Sequence, residues 1–252
     1  MSDYLYGRKY RVLVADKNNV ALDVSNLWCT FRVERVALQV ANYAEINIFN
    51  LSAGTEGTII NEGVRVVLEA GYQGFTEGKF GTEAKQYGQI FDGQIIQTLR
   101  CKEDNNVDLK LTLICLDGDS FLNKNIIKMT VNAGMNQRKI INQIASQAKI
   151  PTDIGRISPE LSAKNLPRGK VFFGMPKDYL RDIAKDNGAN FWVDENMIYI
   201  TKPTDIPPGQ ALVLTPKTGL IGTPQQTQEG VQFKCLLNPS LKLMGMVKLD
   251  LS

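Results

Sequence analysis

The stretch that decides the fold runs from Ala41 to Gln97 and begins ANYAEINIFNLSAGTEGTIINEGVRVVLEAGYQG. Apolar and polar side chains alternate over residues 44–48, and the same alternation returns over residues 64–70. A period of two residues is typical of a strand with one buried face. The segment YGQIFDGQIIQ (87–97) contains Gly93, and an isolated glycine in a strand indicates a bulge or a tight bend. We therefore predict sharply curved strands of a small β-barrel.

Strand patterns also precede this stretch, over residues 8–40. The apolar side chains before and after Arg35 lie on opposite faces, and this switch predicts a β-bulge near Arg35. Residues 72–88 are polar, rich in glycine and aperiodic. Such a segment predicts a long solvent-facing loop between two strands.

The clearest strand in the chain is Val107 to Leu116. Its alternation predicts that Leu113 and Cys115 lie in the core. Lys110 and Thr112 are predicted to face outward. With this strand, residues 1–120 are expected to form one all-β domain.

The pattern changes after residue 120 to that of a compact α/β unit, residues 121–203. We expect a strand at 126–131, a helix at 136–149, a second helix at about 177–187 and a hairpin at 191–200. Asn136 is the predicted cap of the first helix, Pro151 its stop, and Gly188 the stop of the second. The fold class is therefore β-rich α+β.

A proline-rich linker (Pro203, Pro207, Pro208) leads into a last segment that has the pattern of strands separated by turns. In the final strand we expect Val247, Leu249 and Leu251 to face inward. Three apolar side chains on one face must be shielded from water by another segment of protein. We expect this cover to come from further chain beyond Ser252, with a neighbouring subunit as the second choice and the α/β unit as the third.

Several groups of residues carry a resemblance to a known family. They are Asn42-x-Ala44-Glu45-Ile46-x-Ile48-x-Asn50-Leu51-Ser52, Gly63-x-x-Val66-x-Leu68-x-Ala70-Gly71-Tyr72-x-Gly74, Gly88-x-Ile90-Phe91-x-Gly93-x-Ile95, Tyr179-Leu180-x-x-Ile183-Ala184-x-x-x-Gly188 and Thr218-Gly219-Leu220-Ile221-Gly222-Thr223-Pro224. Together they resemble the central baseplate hub proteins of tailed phages, which are related to late-control D proteins and to the hub part of type VI secretion spikes.

This resemblance implies a division into a first hub β-barrel (1–120), an α/β unit (121–203) and part of a second β-barrel (204–252). It implies a structural virion protein, assembled in the host cytoplasm, that forms a homotrimer and joins the tail tube to the spike or tail tip. The tape measure protein and the baseplate wedge proteins are further implied partners. DNA is implied only as passing cargo in the lumen, and no membrane integration and no cofactor are implied.

Composition argues against an enzyme. The chain contains no histidine, which is the commonest general base and the commonest zinc ligand. No nucleophile–base pair or paired-acid motif is present, so we predict no catalytic, cofactor-binding or metal site. A net charge of +3 is too small to indicate a nucleic-acid binder. The cysteines lack CxxC spacing and are predicted to be buried in a reducing compartment: Cys29, Cys101, Cys115 and Cys235.

The remaining candidates for a site are Asp117 with Asp119, Asp194 with Glu195, the basic residues Lys164, Arg168 and Lys170, and the aromatic residues Trp28, Phe191 and Trp192. The sequence Asp-Gly-Asp is ordinary turn chemistry. The acids at the hairpin tip are predicted to be solvated. The basic residues are predicted to lie in a solvent-exposed loop, because no aromatic residues interleave with them. Adjacent strand residues point to opposite faces, so at most one of the two neighbouring aromatic residues is expected to be exposed.

Two alternatives to a structural hub stay open. The size of the α/β unit is that of small carbohydrate-binding modules, which suggests a cell-wall carbohydrate-binding tail protein. A hydrolase that uses only Asp or Glu is the other alternative, and no pair of acids in a recognisable motif supports it.

Overall fold

The structure is a computed structural model that describes residues 7–72, 75–76, 79–80, 86–102, 107–148, 153–162, 165–206 and 209–250. Over these residues the chain folds into several β-sheets and four α-helices. The predicted β-rich α+β fold class is confirmed.

The largest sheet has seven strands in the order β2-β1-β5-β8-β9-β4-β3, and every neighbouring pair is antiparallel. The first nine strands of the chain are β1 (Arg8–Ala15), β2 (Ala21–Asp23), β3 (Cys29–Glu34), β4 (Asn42–Phe49), β5 (Arg65–Tyr72), β6 (Phe75–Thr76), β7 (Lys79–Phe80), β8 (Gln86–Lys102) and β9 (Leu109–Asp117). The short strands β6 and β7 pair with each other. They lie within the predicted loop at 72–88, most of which falls outside the described residues.

The apolar face of the seven-stranded sheet surrounds one core. Its buried residues come from both ends of the sheet and include Val12, Val14, Cys29, Ala44, Ile46, Ile48, Val66, Leu68, Phe91, Leu111, Leu113 and Cys115. The Tyr10 hydroxyl donates a hydrogen bond of 2.6 Å to the Leu27 carbonyl, which brings β1 next to the residues before β3. Among the described residues, however, β2 and β3 do not pair, so the sheet stays open at this seam. The predicted closed barrel is therefore not confirmed.

Strand β8 contains the predicted irregularity. Ile90 is an extra residue opposite the pair Leu68 and Glu69, and Ile96 is an extra residue at a second shift in register against β9. Gly93 lies between these two bulges, and a Cβ atom there would come within 2.5 Å of the Phe91 ring. The bend therefore depends on two flanking bulges, with glycine required where the backbone meets an aromatic ring.

The predicted bulge near Arg35 is wrong. Strand β3 ends at Glu34, and residues 37–40 form bends rather than a strand. Leu38 and Val40 are exposed there, so the apolar residues change face at Arg35 because the strand ends and not because it bulges.

Strand β9 confirms the predicted core positions, because Leu113 and Cys115 are fully buried. Thr112 lies on the opposite face, but the expectation that it is solvent-exposed is wrong. It is buried, and its hydroxyl donates a 2.6 Å hydrogen bond to Asn47 Oδ1 on the neighbouring strand. The prediction that all four cysteines are buried holds for Cys29 and Cys115 but is wrong for Cys101, which is exposed, and Cys235 is only half-buried.

Two helices were not predicted from the sequence: α1 (Ala53–Glu62) and α2 (Asp119–Lys124). Helix α1 begins at Ser52, whose hydroxyl accepts a hydrogen bond from the Thr55 N–H. It contains two glycines and buries little apolar surface, so neither propensity nor periodicity indicates a helix.

The α/β part of the chain contains β10 (Ile127–Val131), α3 (Gln137–Gln147), β11 (Asp153–Ile157), β12 (Lys170–Gly174), α4 (Pro176–Asp186), β13 (Asn190–Asp194) and β14 (Met197–Thr201). Both predicted helices and the hairpin are present, and Asn136 caps α3 by accepting from the Arg138 N–H. Strand β11 was not predicted and pairs in parallel with β14. The predicted stop at Pro151 lies outside the described residues. A second hydrophobic cluster, from Phe121 to Ile200, forms the core of this part.

The last segment contains β15 (Leu212–Leu214), β16 (Leu220–Thr227), β17 (Gly230–Cys235) and β18 (Val247–Leu249). Strands β16 and β17 form a largely exposed hairpin, and β15 pairs in parallel with β18. Val247 and Leu249 are half-buried while Lys248 is exposed, which agrees with the predicted alternation. Leu251 and the linker residues Pro207 and Pro208 lie outside the described residues. The described strands form two separate pairs, so a second barrel is not confirmed.

Candidate functional site

The three parts of the chain meet at a cluster of six polar side chains, which we call the junction. Arg35, Asn42 and Asp117 come from the first sheet and its loops, Asp194 and Glu195 from the β13–β14 hairpin, and Lys242 from the last segment.

The tip of the hairpin is held by Asp117 at the end of β9. Glu195 and Asn196 form a two-residue turn with positive φ angles of 50° and 60°, the geometry of a tight β-hairpin. In this turn the Glu195 N–H points at Asp117 and donates a 2.7 Å hydrogen bond to Oδ2. The next residue, Gly118, has a φ of 80°, and a Cβ atom on it would lie 2.8 Å from the Val193 side chain. Glycine therefore permits the close approach of the two parts.

Asn42 ties the same hairpin to β4. Its side-chain Nδ2 donates at 2.9 Å to Asp194 Oδ1 and lies 3.4 Å from the Val193 carbonyl and 3.5 Å from Asp117 Oδ2. Its Oδ1 accepts a 3.2 Å hydrogen bond from the Val36 N–H. One buried amide thus contacts the first sheet, the loop after β3 and the hairpin.

Two cations complete the junction. Arg35 Nη2 lies 2.8 Å from Glu195 Oε1, and its Nε lies 3.5 Å from Asp194 Oδ1, which is an ion pair rather than a hydrogen bond. The Lys242 ammonium group pairs with the same Glu195 carboxylate. Because Lys242 follows β17 in the chain, this ion pair attaches the last segment to the hairpin.

Burial and charge shift the pKa values of the three junction acids in different directions. Burial raises the pKa of Asp117 to about 6, the neighbouring Asp194 carboxylate acts in the same direction, and hydrogen bonds from the Glu195 N–H and Asn42 act against it. Burial also raises the pKa of Asp194, although Arg35 opposes the shift. Burial alone would raise the pKa of Glu195, but hydrogen bonds from Lys242 and Arg35 outweigh it and lower that pKa.

A small cavity of about 200 Å³ lies beside Asp117. Its wall contains Arg65 and Asp92, which form a two-pronged ion pair at 2.7 and 2.5 Å. Each junction carboxylate accepts hydrogen bonds or ion pairs from the chain's own groups. The junction therefore joins segments of the chain through ion pairs and hydrogen bonds.

The sequence-based expectations for the acids are only partly correct. Gly118 does adopt a turn conformation, and Asp119 begins α2 and pairs with Lys124 at 3.2 Å, so Asp117 and Asp119 do not form one site. The expectation that Asp194 and Glu195 are solvated is wrong, because Asp194 is buried and Glu195 is half-buried. A hairpin tip is ordinarily exposed, but here another part of the chain covers it.

Sequence reasoning missed Arg35, Asn42 and Lys242. One signal for Asn42 was available: it has the same parity as the buried Ala44 and Ile46, and a polar residue at a core position requires partners. No local pattern distinguishes Arg35 or Lys242 from other surface cations.

The aromatic and basic candidates do not converge on one site. Phe191 and Trp192 are both buried, which agrees with the expectation that at most one of them is exposed. Trp28 is 63% exposed and stacks on Phe49 with ring centroids 4.3 Å apart. Arg168 and Lys170 are exposed, as expected of a wet surface, but Lys170 lies on β12. Lys164 lies outside the described residues.

Two general findings apply to the described part of the chain. No three His, Cys, Asp or Glu side chains in that part converge closely enough to hold a metal ion. No helix in the same residues is long and apolar enough to cross a membrane.

Comparison with known proteins gives the class of the chain. The family model of the baseplate hub gp41 matches residues 11–252. The chain therefore belongs to the baseplate hub gp41 family, whose members are structural components of phage tails. A search of curated protein sequences found no match.

Two solved structures of tail proteins share the fold. A tail protein from Neisseria meningitidis MC58 superposes with a TM-score of 0.50 at 15% identity, covering 83% of this chain and 55% of that one. The 43 kDa tail protein of prophage MuSo2 from Shewanella oneidensis gives a TM-score of 0.51 at 11% identity, covering 82% of this chain and 57% of that one. A chain of the PdpA–VgrG complex gives 0.48 at 10% identity, covering 98% of this chain and 50% of that one. The chain thus spans little more than half the length of the tail proteins that it matches.

Proposed function

We propose that this chain is the central hub of a phage tail baseplate, a homotrimer that joins the tail tube to the spike or tail tip. The observation that carries the proposal is the family match over residues 11–252. The shared fold of the two tail proteins supports it. Contacts with the tape measure and baseplate wedge proteins, assembly in the host cytoplasm and passage of DNA through the lumen belong to the same proposal.

The proposed hub consists of a first barrel-like domain (1–120), an α/β unit (121–203) and part of a second barrel (204–252). Two separate hydrophobic clusters support the first boundary, since one ends at Cys115 and the other begins at Phe121. In the proposed assembly, the open seam between β2 and β3 and the pair β15–β18 are the places where neighbouring subunits would close the barrels.

The junction supports the role of a connector. A hub that transmits force between tube and spike requires that its parts keep one relative orientation. Buried ion pairs and hydrogen bonds are directional, so they favour one arrangement of the segments over others. In this chain three carboxylates, two cations and one amide fix the hairpin to the first sheet and to the last segment.

We also propose that the chain has no catalytic activity. The carboxylates with raised pKa values, Asp117 and Asp194, are occupied by the chain's own N–H groups and cations. Purified protein is expected not to clear peptidoglycan. Clearing that disappears in Asp117→Asn while the variant stays folded would contradict this proposal.

Cryo-electron microscopy of tails that carry this chain tests the hub proposal. We expect three copies around the tail axis, between the end of the tube and the spike or tip. Mass spectrometry of the same particles checks that the chain is present. Particles that lack the chain, or that place it away from the tail axis, would contradict the proposal.

A second candidate function, binding of cell-wall carbohydrate, is favoured by one observation. Trp28 presents an exposed indole face supported from below by Phe49, and such a face can stack on a sugar ring. Co-sedimentation with peptidoglycan tests it, with Trp28→Ala as the variant and Val20→Ala, another exposed position, as the control. Binding that is lost only in Trp28→Ala would support this function.

A further inference from the structure

The two-stranded ribbon formed by β10 and β12 has one buried and one exposed face. Its inner face contributes Ile127, Met129, Val131 and Phe172 to the second hydrophobic cluster. On its outer face Val171 is 68% exposed and Phe173 is 66% exposed. Their cross-strand partners are Thr130 and Lys128.

The apolar surface continues past the ends of the strands. Ile126 and Met175 flank the ribbon, both are exposed, and the strand register places them opposite each other. We call the set Ile126, Lys128, Val171, Phe173 and Met175 the ribbon patch. Single exposed hydrophobic residues are ordinary, but a contiguous group of four marks an interaction site.

The charge of the ribbon patch is positive. The Lys128 ammonium group lies 5.5 Å from the centre of the Phe173 ring, and no carboxylate pairs with it among the described residues. Lys170 at the start of β12 lies on the other side of the strand, 5.3 Å from the Phe172 ring and 6.0 Å from the Tyr179 ring, so Lys128 is the cation of the patch itself. The outer face itself carries no Asp or Glu.

The free edge of β12 is blocked at the centre of the patch. The Tyr179 hydroxyl accepts a 2.9 Å hydrogen bond from the Phe173 N–H and donates one of 2.8 Å to the Phe173 carbonyl. A partner strand therefore cannot use these two backbone groups, which interrupts strand addition at the middle of β12. A partner must bind through the side chains on the outer face.

We propose that the ribbon patch docks another protein of the tail, through a surface that is apolar at its centre and carries Asp or Glu at its edge. This inference rests on the proposed hub function, which supplies such neighbours. A second copy of this chain that binds through the same face is disfavoured, because face-to-face pairing brings two positively charged patches together. Nucleic acid is disfavoured because Phe173 is the single aromatic side chain of the patch and Lys128 its single cation, whereas Ile126, Val171 and Met175 are aliphatic.

Photo-crosslinking in assembled tails tests the proposal. The probe is p-benzoylphenylalanine placed at position 173, with a control at Val20, which is equally exposed in the turn between β1 and β2. After irradiation, mass spectrometry identifies the crosslinked peptide. We expect a segment of a different tail protein that contains apolar residues beside Asp or Glu. Crosslinks from position 173 to another copy of this chain or to DNA, or none in particles that contain the chain, would overturn the proposal.

Charge variants give an independent measurement. Lys128→Glu is expected to lower incorporation of the chain into tails by about tenfold, whereas Lys128→Arg retains the charge and should incorporate normally. Unchanged melting of the purified variants shows that folding is intact, since Lys128 is exposed. Equal incorporation of both variants would contradict the proposal. Absence of the wild-type chain from the particles would instead contradict the hub function.

Discussion

Replacement of Asp117 by asparagine tests whether the junction holds a buried charge that is unfavourable at neutral pH. The pKa of Asp117 is raised from 3.8 to about 6, chiefly by burial. At pH values between 3.8 and about 6, Asp117 is therefore protonated in the folded chain and ionised in the unfolded chain. Stability therefore falls as pH rises from about 4 to about 6, by about 1.4 kcal/mol per pH unit, and is then constant with respect to this group.

Above pH 6, the buried charge of Asp117 lowers the free energy of unfolding by about 3 kcal/mol in total. Asparagine at position 117 removes the charge and can still accept the hydrogen bond from the Glu195 N–H through Oδ1. Because the pKa of about 6 already includes the effect of this hydrogen bond, no separate correction is needed. We therefore expect Asp117→Asn to be about 3 kcal/mol more stable than wild type at pH 7.5, with the difference falling to about 1 kcal/mol near pH 4.5.

Urea unfolding at several pH values between 4.5 and 7.5 measures this difference, with tryptophan fluorescence as the signal. Trp192 is a suitable reporter because it is buried and stacks on Tyr199, with ring centroids 5.3 Å apart. Asp153→Asn, at an exposed position, removes the same charge from the surface and serves as the control. A difference between Asp117→Asn and wild type that does not change with pH would refute the reasoning.

Three further substitutions test the core, the junction and the bend in β8, and urea unfolding measures each of them. Leu113→Ala is expected to destabilise the chain by about 2–5 kcal/mol, because Leu113 is fully buried; a loss below about 1 kcal/mol would contradict its core position. Arg35→Ala leaves the buried junction acids short of a cation and should cost about 3–5 kcal/mol, whereas Arg32→Ala, on an exposed side chain, should change stability by about 0.5 kcal/mol or less. Gly93→Ala should cost about 1–3 kcal/mol, since its Cβ atom would meet the Phe91 ring at 2.5 Å, and a neutral effect would show that the ring can move.

Much of the fold was predictable from local periodicity. The alternation at Ala44, Ile46 and Ile48 and at Leu113 and Cys115 correctly placed these residues in the core of the first sheet. A single buried face repeats every second residue in a strand, so burial is visible in the sequence itself. The helices α3 and α4 were predictable for the same reason, with a period of 3.6 residues.

Elements without a periodic apolar face were missed. Helix α1 buries only Glu56 and Ile59, and α2 is a short helix after a glycine turn. Strand β11 is short, and its partner β14 lies about forty residues further along the chain. Long-range pairing of this kind leaves no local signal.

The sequence by itself determined the fold class, the buried faces of the main strands and the family resemblance, because these depend on residue types at fixed local spacing. Only the tertiary structure decided that the acids at the hairpin tip are buried. Asp117, Asp194 and Lys242 are far apart in the chain, and each looks like an ordinary surface charge in its own segment. Their environment is set by which segments pack together, and desolvation and ion pairing act through space rather than along the sequence.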